Sequence, residues 1–249
     1  MSPLTIALLV GAIIVIAVIV RFLTKPTEYP ETDLAEIDKE QLRAQGEQLL
    51  EDAESWPTDL RDGSVVLATS LEPFAVRTVR YQVEVETDFE RAVAYVKNLS
   101  DCGEGTRESE DKFEETLHDK DRGGTQHEWV RRSVHISPPP GANRDAVVVY
   151  YEDRPDPKTY RIAFRSVDSI DGKAIPAHEG ASRFRVNPAL YRVEETEPGR
   201  VRIRKIEAVD PQGKVSRLIN NYFISMMFFR KYMFDEAKAM RDALAADPG

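Results

Sequence analysis

The chain is short of the residues that support covalent, metal or redox chemistry. Its 249 residues include one cysteine, Cys102, so no intramolecular disulfide and no CxxC pair can form. A lone thiol fits a reducing compartment. There are four histidines. His127 and His135 share one expected strand at even spacing but lie about 26 Å apart at strand rise, too far for one metal ion. HExxH, GxSxG and P-loop strings are missing. Gly103-Glu104-Gly105 lacks the third glycine and preceding strand of a dinucleotide fingerprint. The run Asp168 to Gly172 lacks the alternating acids of a calcium loop. No cofactor, metal site or catalytic residue set is expected. Basic charge is also scarce: 34 Lys and Arg against 43 Asp and Glu give a net charge of -9. That balance disfavours nucleic acid as a partner. It also makes contact with an anionic lipid surface depend on a local basic patch or an apolar anchor.

Such an anchor is present in the sequence. The composition, 41% hydrophobic and 31% charged, is that of a folded protein, yet the first twenty residues carry no charged side chain. The run LTIALLVGAIIVIAVIV would span about 30 Å as a helix, the thickness of a bilayer's hydrocarbon core. No Lys or Arg precedes it and no small-x-small box follows it, unlike a cleaved signal peptide. Residues 1–23 are therefore expected to be a single-pass transmembrane helix. Arg21 and Lys25 on its C-terminal flank favour a cytoplasmic body. Residues 24–32 (TKPTEYPET) read as a proline-punctuated linker, leaving residues 33–249 as the soluble domain.

Within that domain, residues 33–55 read as a helix packed on the body, ended by Trp56-Pro57. Residues 65–86 switch to period two, with Val79, Tyr81, Val83 and Val85 alternating against charge. Residues 88–99 form a capped amphipathic helix. Six strand candidates follow (112–118, 126–136, 146–153, 159–167, 182–194, 200–209), and residues 216–245 close the chain as a long helix rich in Met and Phe. That helix must bury its apolar face, which includes Phe223, Met226 and Met227, and a curved antiparallel sheet is the surface offered. By strand parity Val148 and Tyr150 share a face. Ile162 and Phe164 oppose Arg161 and Arg165, Phe184 and Val186 oppose Arg183 and Arg185, and Ile203 opposes Arg202 and Arg204. This predicts a sheet with one dry side and one solvated arginine side. Pattern alone leaves two interiors open, a filled core or a cavity lined by adaptable thioethers and rings.

Three stretches resemble the START (StAR-related lipid-transfer) family: HISPPPGANRDAVVVYYEDR with its Arg144-Asp145 pair, TYRIAFRSVD with Ser166, and VRIRKIEAVDPQGKVSRLINNYF with its Asp-Pro-x-Gly turn. The resemblance implies an α+β helix-grip fold, a curved antiparallel sheet wrapped around a long C-terminal helix. It implies a lipid tunnel lined by the residues named above, with a phospholipid, sterol or other apolar ligand as partner. It also implies a gating loop, here Asp153, Arg154, Pro155, Asp156, Pro157 and Lys158. Where sterol-type members carry a buried basic residue, this chain has Tyr150; Glu128 stands about where the paired acid would be. Two other readings stay open. One is a cyclase- or hydrolase-like enzyme using Glu128, Tyr150 and His127; the other is an anchored interaction domain without ligand.

Overall fold

The computed structural model describes residues 30–71, 74, 76, 78–100, 106–109, 112–121, 126–135, 143–210 and 230–246. Helix α1 spans Lys39–Asp52, α2 spans Phe89–Ser100 and α3 spans Arg230–Ala245. Strands β1 (Thr58–Asp62), β2 (Val65–Ser70) and β3 (Thr78–Glu86) precede α2. After it come β4 (Thr106–Ser109), β5 (Lys112–Asp121), β6 (His127–His135), β7 (Asn143–Asp156) and β8 (Thr159–Ser166). The short strands β9 (Ser169–Ile170), β10 (Lys173–Ala174), β11 (Ala181–Arg183) and β12 (Arg185–Val186) lead to β13 (Ala189–Glu197) and β14 (Arg200–Asp210). The main sheet runs β1-β2-β3-β14-β13-β8-β7-β6-β5-β4, antiparallel at every step. This is an α+β architecture of the helix-grip kind. No helix among the described residues is long and apolar enough to cross a membrane; the apolar run 1–23 lies outside the described residues.

Each helix is started and aimed by local chemistry. The Asp38 carboxylate accepts the Gln41 amide at 3.0 Å and opens α1, and Asp88 does the same for Arg91 in α2. Phe89, Ala92, Val93 and Val96 bury one stripe of α2; Met233, Ala237, Met240 and Leu244 bury one stripe of α3. Both stripes meet the same sheet face, α3 over β2 and β3 and α2 over β13 and β14. Arg91 of α2 donates to the carbonyls of Ala243 and Ala246 at 2.9 and 2.8 Å, closing the C-terminal end of α3. We call this face inner.

The outer face differs from the expectation of a solvated arginine side. Helix α1 covers it, and Leu42, Leu49 and Leu50 build a second core there with Val130, Val147, Val149, Tyr151, Ala163, Leu190 and Ile206. Arg204, Arg192 and Arg161 lie directly opposite one another across β14, β13 and β8, with Asp153 of β7 next in line. Glu47 of α1 bridges Arg161 and Arg192 at 3.2 and 2.6 Å, and Glu54 reaches Arg204 at 2.7 Å. Glu194 adds contacts of 2.8 and 2.7 Å to Arg192 and Arg204. The cations are tolerated under the helix because Glu47 of α1, Glu54 just past its end and Glu194 and Asp153 of the sheet supply the carboxylates that burial requires.

Two further expectations are corrected. Residues 182–194 are not one strand but β11, β12 and the start of β13. The break forms because Asp145, fully buried, draws in the intervening backbone and Arg183. The expected gating loop is mostly strand: Asp153 to Asp156 belong to β7, and Pro157 and Lys158 make the turn. A register shift between Asp153 and Asp156 accommodates Pro155. Asp153 is buried against Arg161, and Arg154 grips Glu90 of α2 with two bonds of 2.7 Å, so both charges are satisfied without a loop. Of the last helix, expected from residue 216, residues 211–229 lie outside the described residues.

Gly46 lets α1 pack tightly on the sheet: a Cβ there would stand 2.8 Å from the Leu190 Cβ. Gly46→Val is expected to lower unfolding free energy by about 2–3 kcal/mol, read as a reduced urea midpoint with unchanged m-value.

Candidate functional site

The inner face carries one continuous row of side chains across seven strands. Strand pairing sets Asp121 beside His127, then Glu152, Ile162, Tyr191, Lys205 and Tyr81. Beside this row runs an aromatic floor. Trp129 stacks on Tyr150 at 5.3 Å between ring centroids, Tyr150 on Phe164 at 5.4 Å, and Phe164 on Tyr191 at 5.8 Å. Offset ring contacts of this kind add to area burial. Tyr150, Phe184, Tyr95 and Phe234 pack against this core and still keep accessible surface.

Polar clusters bound the floor at both ends. At the β14 end, Lys205 is buried and its ammonium lies 4.8 Å above the Tyr191 ring. It pairs with Glu207 at 2.8 Å and with Glu236 of α3 at 3.4 Å. The hydroxyls of Tyr81 and Tyr191 donate to the same Glu236 oxygen at 2.9 and 3.2 Å. Burial alone would lower the Lys205 pKa, but Glu207, Glu236 and Tyr191 outweigh it and hold the ammonium well above its ordinary value. Burial pushes both tyrosine hydroxyls upward; Tyr191 and Glu236 reinforce the shift at Tyr81, and Glu236 reinforces it at Tyr191. At neutral pH the lysine is therefore charged and both tyrosines keep their protons.

At the other end, roughly 14 Å away by three strand spacings, Lys97 of α2 meets Glu152 at 3.0 Å. Tyr160 donates to Glu152 at 2.9 Å. His127 contacts Asp119 at 2.5 Å and lies 4.8 Å from the Trp129 ring. Lys97, Asp121, Gln126, His127 and Glu152 line a pocket of about 280 Å³.

The structure gathers Val148, Ile162, Phe164, Val186 and Ile203 into the inner core, with Tyr150 and Phe184 packed against it. Phe223, Met226 and Met227 lie outside the described residues. Glu128 is elsewhere. One residue out of phase with Trp129, it faces outward, where it is bonded to Lys39 of α1 and, at 3.0 Å, to His118. Glu128, Tyr150 and His127 thus form no common constellation. Sequence reasoning missed Lys205, Tyr81, Tyr191, Glu236 and Glu152. A lysine interrupting an arginine run on the apolar parity of β14 was the available signal. The residues of the family-like motifs turn out to be framework. Asp145 accepts the His178 amide at 2.9 Å and Arg183 at 3.1 Å, and Ser166 accepts the Val186 amide at 2.9 Å. Among the described residues no cluster of His, Cys, Asp and Glu could hold a metal ion.

No protein-family model and no curated protein matches the chain. Among solved structures it is similar to the human StarD13 (DLC2) lipid transfer and protein localization domain. The TM-score is 0.54 and the identity 19%, over 86% of this chain and all of that one. It is also similar to human STARD10, with TM-score 0.57 and 18% identity over 87% of this chain and 82% of that one. A STAR-related lipid transfer protein from Xanthomonas axonopodis gives TM-score 0.54 and 18% identity, over 77% of this chain and 99% of that one. The chain therefore has the START fold.

Replacing Lys205 by Met would leave Glu236 and Glu207 facing a buried apolar wall, and is expected to cost about 3 kcal/mol of stability at pH 7. The raised pKa of Lys205 contributes stability that is complete below its unfolded value of about 10.4 and lost as pH climbs toward the folded value. The raised tyrosine values act in the same direction above about pH 10. Urea midpoints measured from pH 8 to 11 should fall for the wild type, and the slope should flatten in Lys205→Met.

Proposed function

We propose that the inner face binds a lipid between the aromatic floor and the helices α2 and α3, and that residues 1–23 hold the domain at the membrane from which that lipid is drawn. The observation that carries this reading is the floor itself. Four stacked rings on four adjacent strands form a continuous apolar row in which Tyr150 keeps accessible surface, and among the described residues the charged groups stand at its two ends. An amphiphile matches that layout, since each methylene placed on such a surface contributes about 0.8 kcal/mol and needs no polar partner. The similarity to domains named for lipid transfer supports the same reading.

The linker limits what a tethered domain can reach. Thr32 is fastened to the body, its amide donating to Asp168 at 2.9 Å, and Asp33 accepts from Ala35, Ser169 and Gly172. Only residues 24–32 separate that anchor from this clamp, about 30 Å when fully extended. The domain would work on its own bilayer, as a local extractor or sensor with its body on the cytoplasmic side.

The chain has two tryptophans, Trp129 in the floor and Trp56 against the outer core. In full-length Trp56→Phe, vesicles of phosphatidylcholine with brominated acyl chains are expected to quench Trp129 fluorescence. In Trp129→Phe, the remaining Trp56 should be quenched little. Quenching confined to Trp56, together with no lipid in mass spectra of the purified protein, would overturn the proposal.

A further inference from the structure

We infer that the β9–β10 hairpin and the segment after it, residues 169–177, rest on the bilayer that holds the anchor and meet its head-group layer through apolar side chains. This second foothold rests on residues 1–23 being a membrane anchor, and it fixes which part of the body faces that membrane.

The chain enters the body at this hairpin. The Thr32 carbonyl accepts the amides of Asp168 and Ser169 at 2.8 and 3.4 Å, and the Thr32 amide donates to the Asp168 carboxylate at 2.9 Å. The Asp33 carboxylate accepts the Ser169 hydroxyl and, at 2.9 Å, the Gly172 amide. Asp33 also pairs with Ser169 as a parallel bridge. The linker is thus stitched to the hairpin itself. Residues 24–32 reach about 30 Å when fully extended, so the hairpin stays within that distance of the anchor. The β7–β8 turn lies at the other end of the strands. The Val147 carbonyl accepts the Val167 amide near the hairpin's base, and Asp156 opens the turn about 30 Å further along β7.

Shape and composition suit a shallow apolar contact. Asp171 and Gly172 have φ of 52° and 72°, the left-handed pair of a two-residue type I′ turn. A hairpin already held in one form loses little freedom on contact. After the turn, residues 173–177 (KAIPA) include no acid; Lys173, Ala174, Pro176 and Ala177 are exposed and Ile175 is half-buried. The turns at the far end are charged, Asp156-Pro157-Lys158 and Glu197-Pro198-Gly199-Arg200. A cleft of about 440 Å³ opens between the hairpin and Leu117 of β5. Ile170 and Ile175 line it while packing on the outer core, so each keeps apolar surface open. Electrostatic attraction to anionic lipid is a poor alternative, because the chain carries a net charge of -9 and Asp171 stands two residues from Lys173. A weak apolar contact suffices, since the tether makes it intramolecular, at an effective concentration of about the millimolar range.

The test uses full-length Cys102→Ser reconstituted in phosphatidylcholine vesicles, with a nitrobenzoxadiazole label on Ala174→Cys or on Lys158→Cys, both at exposed positions. A nitroxide lipid labelled near its head group is expected to quench the label at position 174 about fivefold more than at position 158, because an interfacial contact sits about 5–10 Å into the head-group boundary. Lys173→Glu combined with Ala177→Glu, both exposed, should bring the signal at position 174 down to that at position 158 while flotation with the vesicles is unchanged. Equal quenching at the two positions in protein that floats with the vesicles, or an unchanged signal in the double variant, overturns the inference and leaves the anchor standing. A label at position 174 that is shielded from water without lipid quenching, increasingly so at higher protein-to-lipid ratio, also overturns it and assigns the hairpin to contact between copies of this chain. Protein that does not float with the vesicles removes the anchor and this inference together.

Discussion

The arginine ladder on the outer face is the constraint around which this molecule is arranged. A guanidinium under a helix is tolerable only when a carboxylate comes with the cover. Arg161, Arg192 and Arg204 stand side by side on three neighbouring strands, so their repulsion must be cancelled along the whole row. Glu47, Glu54, Asp153 and Glu194 do so, and two of these four come from the segment that forms the lid. The helix α1 is thus fixed in rotation and position by ion pairs, while Leu42, Leu49 and Leu50 supply its apolar burial. Closing the outer face this way makes the sheet a wall with two covered sides rather than an open floor.

The inner face follows the opposite design. Its aromatic row on β6, β7, β8 and β13 is apolar, and charged groups stand at the two ends of that row. The two ends differ in kind. At β14, Lys205 and Glu236 fasten α3 to the sheet through contacts that also engage Tyr81 and Tyr191. The other end, at β6 and β7, holds a pocket. One end is a fastening of helix to sheet; the other leaves a half-open pocket lined by polar side chains. Arg154, clasping Glu90 beneath the rings of Phe89 and Tyr160, ties the β7–β8 hairpin to α2 close to that pocket.

The signature residues that resemble the START family have a different task from binding. Asp145 gathers the His178 amide and Arg183, and Ser166 joins β12 to β8. They fix how the short strands β11 and β12 attach to the sheet.

Period-two alternation in β3, β7, β8 and β14 was enough to tell which side chains share a face, and most of the inner-core residues, Val148, Ile162, Phe164 and Ile203 among them, were legible that way. The capped start of α2 at Asp88 was legible from its own sequence, whereas α1 begins at Lys39 behind Asp38 and not at Asp33, which caps the separate 3-10 turn Leu34–Glu36. Parity does not say what lies over a face, so the arginine side read as solvated when α1 covers it. Nor does it survive a doubtful phase: Glu128 sits one residue from Trp129 and so faces α1 instead of the floor. The Lys205–Glu236 and Lys97–Glu152 pairs join residues 31 and 55 positions apart. No local pattern announces such pairs, since only the packing of helix on sheet brings the partners within reach and removes the water that would otherwise weaken them.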